Sequence, residues 1–125
     1  MVKKINTNIL ITGGNGFLAG RFIEYFIKKN FNILVSSRNF KNLTKYKEIK
    51  YYKLINNNYN AIFKKQKNID YVFHTAGLDQ HQCNKNKSQA YKINTQNTKN
   101  LANLSKKNNV KIFIFISTIH VILFH

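Results

Sequence analysis

The sequence contains no proline and no tryptophan, a single cysteine, five glycines and only four acidic residues among 125 positions. One cysteine, Cys83, excludes an internal disulfide and a cysteine-built metal site, and it suits a reducing cytoplasm. No metal site is expected. With no Pro- or Gly-rich linker to divide it, a chain of this length is one domain. No apolar run is long enough to span a bilayer. The nearest, residues 112–124, is interrupted by Ser117, Thr118 and His120. The first residues lack a signal-peptide apolar segment and a small-residue cleavage site. The expectation is a cytoplasmic protein without membrane attachment.

What is abundant is positive charge: 21 Lys and Arg give a formal net charge of +17. Arg21 and Arg38 are the only arginines; every other cation is lysine. Lys, Asn and Ile are residues of AT-rich codons, whereas Pro, Arg, Ala and Gly need GC-rich ones. A strongly AT-biased genome therefore accounts for the balance. A dedicated nucleic-acid surface would use more arginine and cluster it, but here Lys is spread from Lys3 to Lys111. No specific nucleic-acid partner is expected. Hydrophobic residues at 43% and aromatics at 14% are enough for a core.

Apolar runs alternate with polar amphipathic segments. Strands are predicted at residues 5–11, 31–36, 50–55, 71–75 and 110–117. Helices are predicted at 21–29, 41–48, 59–67 and 87–107, the last and longest carried by Ala90, Ile93, Leu101, Ala102 and Leu104. Such alternation implies right-handed crossovers and a doubly wound parallel α/β sheet with helices on both faces.

Between the first strand and first helix stands Thr12-Gly13-Gly14-Asn15-Gly16-Phe17-Leu18-Ala19-Gly20. Gly13 permits a tight turn, Gly16 lets the backbone approach a pyrophosphate, and Ala19 is small enough for helix–strand packing. The helix N-terminus then offers free N–H groups to phosphate.

This segment resembles the opening fingerprint of the extended short-chain dehydrogenases/reductases, the NAD(P)-dependent epimerase/dehydratase family. Three later segments resemble that family in order and spacing. They are Asp70-Tyr-Val-Phe-His-Thr-Ala-Gly77, similar to its fourth strand; Tyr91-Lys-Ile-Asn94-Thr-Gln-Asn-Thr98-Lys-Asn-Leu101, similar to its Asn-Val-x-Gly-Thr-x-Asn-Leu helix; and Lys111 to Val121, similar to the fifth strand that ends in a catalytic Ser or Thr. The resemblance implies a Rossmann-like sheet with strand order 3-2-1-4-5. It implies that Gly13, Gly16, Phe17 and Leu18 line the pyrophosphate turn, and that Thr75, Ala76 and Gly77 run beside the adenosine ribose toward the nicotinamide. Asn94 would support that loop, and Thr118 would be the catalytic hydroxyl on the substrate oxygen.

Cofactor type is set at the end of the second strand. An NAD enzyme places a carboxylate there, which accepts from the ribose hydroxyls and repels a 2′-phosphate. This chain has Ser37-Arg38, a hydroxyl and a guanidinium suited to a phosphate monoester, so NADP is expected over NAD. The Asp-Leu/Ile pair that contacts adenine in the family is replaced by Leu54-Ile55-Asn56. The family's Tyr-x-x-x-Lys pair has no counterpart after the fifth strand; Tyr46 and Lys50 have its spacing by chance, in the second crossover.

The resulting expectation is the NAD(P)-binding domain, residues 1–125, of a nucleotide-sugar epimerase, dehydratase or reductase, cut short after the fifth strand. It would lack the substrate subdomain and be inactive by itself. The alternatives are a non-catalytic dinucleotide sensor, which Ile122-Leu123-Phe124 at the end argues against, and a basic nucleic-acid binder.

Overall fold

The computed structural model describes residues 5–40 and 46–116. Five parallel strands, β1 (Asn8–Thr12), β2 (Asn32–Ser37), β3 (Lys50–Lys53), β4 (Tyr71–His74) and β5 (Ile112–Phe115), form one sheet in the order β3-β2-β1-β4-β5. The helices are α1 (Phe17–Lys28), α2 (Asn60–Lys65), α3 (Gln80–Lys85), α4 (Lys87–Tyr91) and α5 (Asn97–Lys107), with a π-helical turn at Lys92–Gln96 joining the last two. The chain winds outward from β1 to β3, then returns to lay β4 on the other side of β1. That reversal places the strand C-termini of β1 and β4 around a crevice.

Of the three inner strands, β1 and β2 are buried on both faces, which is why they are continuous apolar runs rather than alternating ones. Ile9, Ile11, Ile33 and Val35 point toward Ala19 and Ile23 of α1. Leu10, Leu34 and Val72 point the other way, onto Ile62, Phe63 and Leu101. At the N-terminal edge of the sheet the Asp70 carboxylate accepts from the Asn8 backbone N–H at 2.9 Å and pairs with Lys111 at 2.8 Å. One side chain thus ties the starts of β1, β4 and β5 together. The Lys111 ammonium beside it holds its carboxyl below the usual carboxylate range.

Several elements differ from their sequence-derived limits. Helix α1 begins at Phe17, not at residue 21, because Gly16 is its N-cap and nothing lies within 4 Å of where a Gly20 side chain would start. Residues 46–49 form a turn in which the Ile49 N–H bonds the Tyr46 carbonyl, so no helix continues to Glu48. The remainder of that predicted helix, 41–45, lies outside the described residues. The long helix predicted over 87–107 is interrupted by the π-helical turn, and α3, which the sequence reading did not include, precedes it. Neither α3 nor α4 buries a residue, so no apolar periodicity marks them. Asp79 and Gln82 do form a capping box at α3, a signal that was present in the sequence.

Both long helices stop at an asparagine with left-handed backbone, Asn30 (φ 61°) and Asn109 (φ 57°), the position usually given to glycine. Asn56 and Asn57 adopt the same region in the loop after β3.

Candidate functional site

A cleft of about 360 Å³ opens over the C-terminal ends of β1, β2 and β4. Its floor is the turn after β1. Gly13 has φ +69°, and a Cβ there would lie 2.7 Å from the Ala76 backbone nitrogen, so turn and β4 loop touch backbone to backbone. A Cβ on Gly16 would meet only the Gly13 carbonyl, at 3.2 Å, and otherwise project into open space. Helix α1 has no side-chain cap and no acidic residue in its first turn. Its leading N–H groups and positive dipole end are therefore available to an anion. Glycine, open space and free donors together fit a pyrophosphate.

On the β2 side the cleft is lined by Ser36, Ser37, Arg38 and Asn39, and the Asn39 side-chain oxygen accepts from the Asn15 amide at 3.0 Å. Beyond them stand Leu54, Asn57 and Tyr59. Opposite are Thr75, Ala76 and Gly77 after β4, with Gln82, Ile93 and Asn97 from the helices above. Among the described lining residues Arg38 is the one cation, and none is acidic.

The β4 loop is held from two directions. From below, the Thr75 hydroxyl donates to the Thr12 carbonyl at 2.6 Å. From above, Asn94 Oδ1 accepts from the Leu78 N–H at 2.7 Å, and its Nδ2 donates to the Leu78 carbonyl at 3.1 Å. Asn94 lies in the π-helical turn, whose wider coil sets its amide against the loop backbone.

Under the cleft runs a buried polar row. Ser36, Thr12 and His74 are in register across β2, β1 and β4. His74 Nδ1 lies 2.6 Å from the Thr12 hydroxyl and Nε2 2.8 Å from the Thr98 hydroxyl of α5. Burial pushes the imidazole pKa down to about 4, so it is neutral near pH 7, donating through one nitrogen and accepting through the other. Burial likewise raises the Tyr59 phenol to about 12, against the opposing pull of Thr12 and Arg38, and it stays protonated. The Ser36 hydroxyl has no partner among the described residues.

Of the residues singled out from the sequence, the cleft brings together Gly13, Gly16, Ser37, Arg38, Thr75, Ala76 and Gly77. Phe17 and Leu18 do not line it; their side chains are exposed, Phe17 to 76% with the Arg21 guanidinium over its ring. Asn94 acts on the loop rather than in the lining. Thr118 lies outside the described residues. Tyr46 and Lys50 are at the opposite end of the sheet, where Lys50 opens β3, which excludes them from this site. Sequence reasoning missed Ser36, Asn57, Tyr59 and Asn97. Their approach depends on how loops and helices fold over the strand ends, and no local motif encodes it.

A doubly wound sheet with a glycine turn at its switch point defines a Rossmann-like nucleotide-binding domain. The model of the NAD dependent epimerase/dehydratase family matches residues 9–122, and the chain belongs to that family. Among solved structures it is similar to the UDP-glucose 4-epimerase of Thermotoga maritima, with 26% identity and a TM-score of 0.77, covering 90% of this chain and 38% of that one. It is similar to the UDP-Glc/GlcNAc 4-epimerase of Campylobacter jejuni, with 26% identity and a TM-score of 0.79 over 91% of this chain and 38% of that one. The UDP-N-acetylglucosamine 4-epimerase of Methanobrevibacter ruminantium shares the fold, with 24% identity and a TM-score of 0.81 over 95% and 40%. The chain thus spans about two fifths of the length of these structures. No curated protein matches its sequence. Among the described residues no helix is long and apolar enough to cross a membrane, and no group of His, Cys, Asp or Glu could hold a metal ion.

Proposed function

We propose that the chain is the cofactor-binding part of a cytoplasmic, NADP(H)-using enzyme acting on nucleotide sugars as an epimerase, dehydratase or reductase. The observation that carries the cofactor choice is Arg38 beside Ser37 in a cleft whose described lining holds no carboxylate. An acid there would repel a 2′-phosphate; a guanidinium and a hydroxyl give it charge-assisted partners. UDP-sugar epimerases among the similar structures support the substrate class.

In this reading Gly13 and Gly16 leave room for the pyrophosphate, and the N–H groups of Phe17 and Leu18 donate to it. Ser37 and Arg38 hold the ribose phosphate. Thr75, Ala76 and Gly77 run beside the dinucleotide toward its nicotinamide, on a loop that Asn94 keeps in place. When bound, the nicotinamide supplies hydride acceptance and return. Thr118, which follows β5 in sequence, would bond the substrate oxygen. A proton must also move at that oxygen, and among the described residues no tyrosine–lysine pair lines the cleft to move it. The chain on its own is therefore expected to bind cofactor without turnover, since general acid–base help is worth about 10²–10⁴-fold. An NADPH-consumption assay with a panel of nucleotide sugars checks this; turnover that disappears in Thr118→Ala would overturn it.

The cofactor choice is tested by titrating NADPH and NADH against the wild type and Arg38→Ala. Loss of a charge-assisted contact costs about 1.5–3 kcal/mol, so NADPH should bind at least about tenfold more tightly than NADH, and Arg38→Ala should abolish the preference. Equal affinities in the wild type would overturn it.

A further inference from the structure

Lysines that lie scattered along the sequence are gathered at one end of the fold. In a parallel sheet wound this way each helix runs back against the strands, so helix C-termini and strand N-termini share the end opposite the cleft. Helices α1, α2 and α5 finish there in lysine: Lys28, then Lys64 and Lys65, then Lys106 and Lys107. The strand entries add more. Lys50 opens β3 and donates at 3.3 Å to the side chain of Gln66, which stands between Lys65 and Lys67. Lys111 precedes β5 and pairs with Asp70, whose carboxylate also accepts from the start of β1. A small cavity of about 160 Å³, lined among others by Asn8, Asn32, Lys50 and Gln66, joins these entries to those of β1 and β2.

All of these lysines are exposed. Opposing charge is scarce. Of the four acidic residues, Glu24 pairs with Arg21 along α1 and Asp79 caps α3; only Glu48 and Asp70 stand at this end, and Asp70 is already paired. A lysine in the last turn of a helix is favoured by the helix dipole, but Lys47, Lys50, Lys67 and Lys111 lie outside helices. Codon bias explains why the cations are lysine; the winding of the chain decides where they meet.

We propose that this face binds the phosphate backbone of single-stranded nucleic acid without reading its sequence. Exposed ammonium groups interspersed with amides such as Asn68 and Asn109 suit phosphate oxygens and sugar hydroxyls, and they carry no base code. Tyr25, 57% exposed and one turn before the end of α1, has the Lys29 ammonium 5.8 Å from its ring centre and offers a surface for a base to stack on. A bilayer finds no inserting face among the described residues. The exposed aliphatic side chains at this end, Ile5 and Ile112, belong to the entries of β1 and β5, with β4 between them.

The test is fluorescence anisotropy of a labelled single-stranded RNA of about 20 nucleotides, titrated with the chain between about 50 and 200 mM salt. Each lysine–phosphate contact to a single strand contributes about 0.7 to the slope of log affinity against log salt. Combining Lys64→Gln, Lys65→Gln and Lys67→Gln should therefore reduce the slope by about 2 and weaken binding at about 50 mM salt at least tenfold. Lys106→Gln with Lys107→Gln is an independent second variant, expected to reduce the slope by about 1.4. Combining Lys85→Gln, Lys87→Gln and Lys92→Gln removes three charges from α3, α4 and the π-helical turn, and should change affinity by less than about threefold. Native circular dichroism is required of each variant. Equal losses in the two triple variants would overturn the assignment to this face. Affinity that ignores salt, displacement of the RNA by NADPH, or binding to phosphatidylserine vesicles but not to RNA would each overturn the proposal as a whole.

Discussion

A chain carrying Gly16→Val is expected to fold normally and to lose dinucleotide affinity by at least about 100-fold. The backbone at Gly16 (φ −86°, ψ 160°) is a conformation valine adopts readily, and the Cβ meets only the Gly13 carbonyl, at 3.2 Å. The hydrogen bond from the Gly16 N–H to the same carbonyl, 2.8 Å long, survives with a shift of a few tenths of an ångström. What does not survive is the space in front of the helix N-terminus. Two charge-assisted contacts to phosphate, at about 1.5–3 kcal/mol each, correspond to at least about 100-fold in affinity. Gly13→Val supplies the contrast. There φ is +69° and the Cβ runs into the Ala76 backbone, so stability as well as binding should fall. Circular dichroism beside NADPH titration separates the two, and a folded Gly16→Val that binds normally would place the phosphate turn elsewhere.

Acid should destabilise the fold well above the carboxylate range, through His74. The group is depressed from 6.5 to about 4 in the folded chain by burial. Below pH 6.5 the unfolded chain binds a proton that the folded chain refuses, so unfolding becomes easier as pH falls. The stabilisation is complete above pH 6.5, is lost progressively toward pH 4, and amounts to about 3 kcal/mol at one pKa unit per 1.36 kcal/mol. Asp70, whose pKa is lowered by Lys111, contributes stability that disappears only at still lower pH. Urea unfolding at pH 7.5 and 4.5 checks this, with His74→Gln as the comparison. The variant starts less stable but should show a much flatter slope across that window. Parallel slopes would mean that His74 is not the group responsible.

The parts of this fold that were legible from residues are those where local chemistry and tertiary position agree. Ile9 to Thr12 and Ile33 to Ser37 are apolar runs because both faces are covered, and the glycine turn could only sit between a strand and a helix. Strand order followed from alternation of strands and helices together with the family resemblance, and it is the order observed. Legibility ended where position is set by packing at a distance. The start of α1 hides among glycines that normally break helices. The π-helical turn is invisible to a 3.6-residue period, which runs through Ile93 and Leu101 as though unbroken. Asn94 was recognisable from its motif, whereas the place of Asn97 in the cleft lining depends on how the helices fold over the strand ends.

Glycine and asparagine divide the tight places of this molecule between them, and the division separates two demands that usually coincide. Asn30, Asn56, Asn57 and Asn109 meet a demand of angle, each in the left-handed region that glycine usually fills. At Gly13 a demand of volume is added to that of angle, and at Gly14 it stands alone: a Cβ would lie 2.7 Å from the Ala76 nitrogen in the first case and 2.1 Å from a Val35 methyl in the second. A genome drifting away from GC-rich codons can exchange glycine for asparagine wherever only the angle matters. It cannot do so where two strands of backbone meet. Gly13 and Gly14 therefore mark the places beside the cleft where any side chain would collide with its surroundings, whatever the codon usage favours.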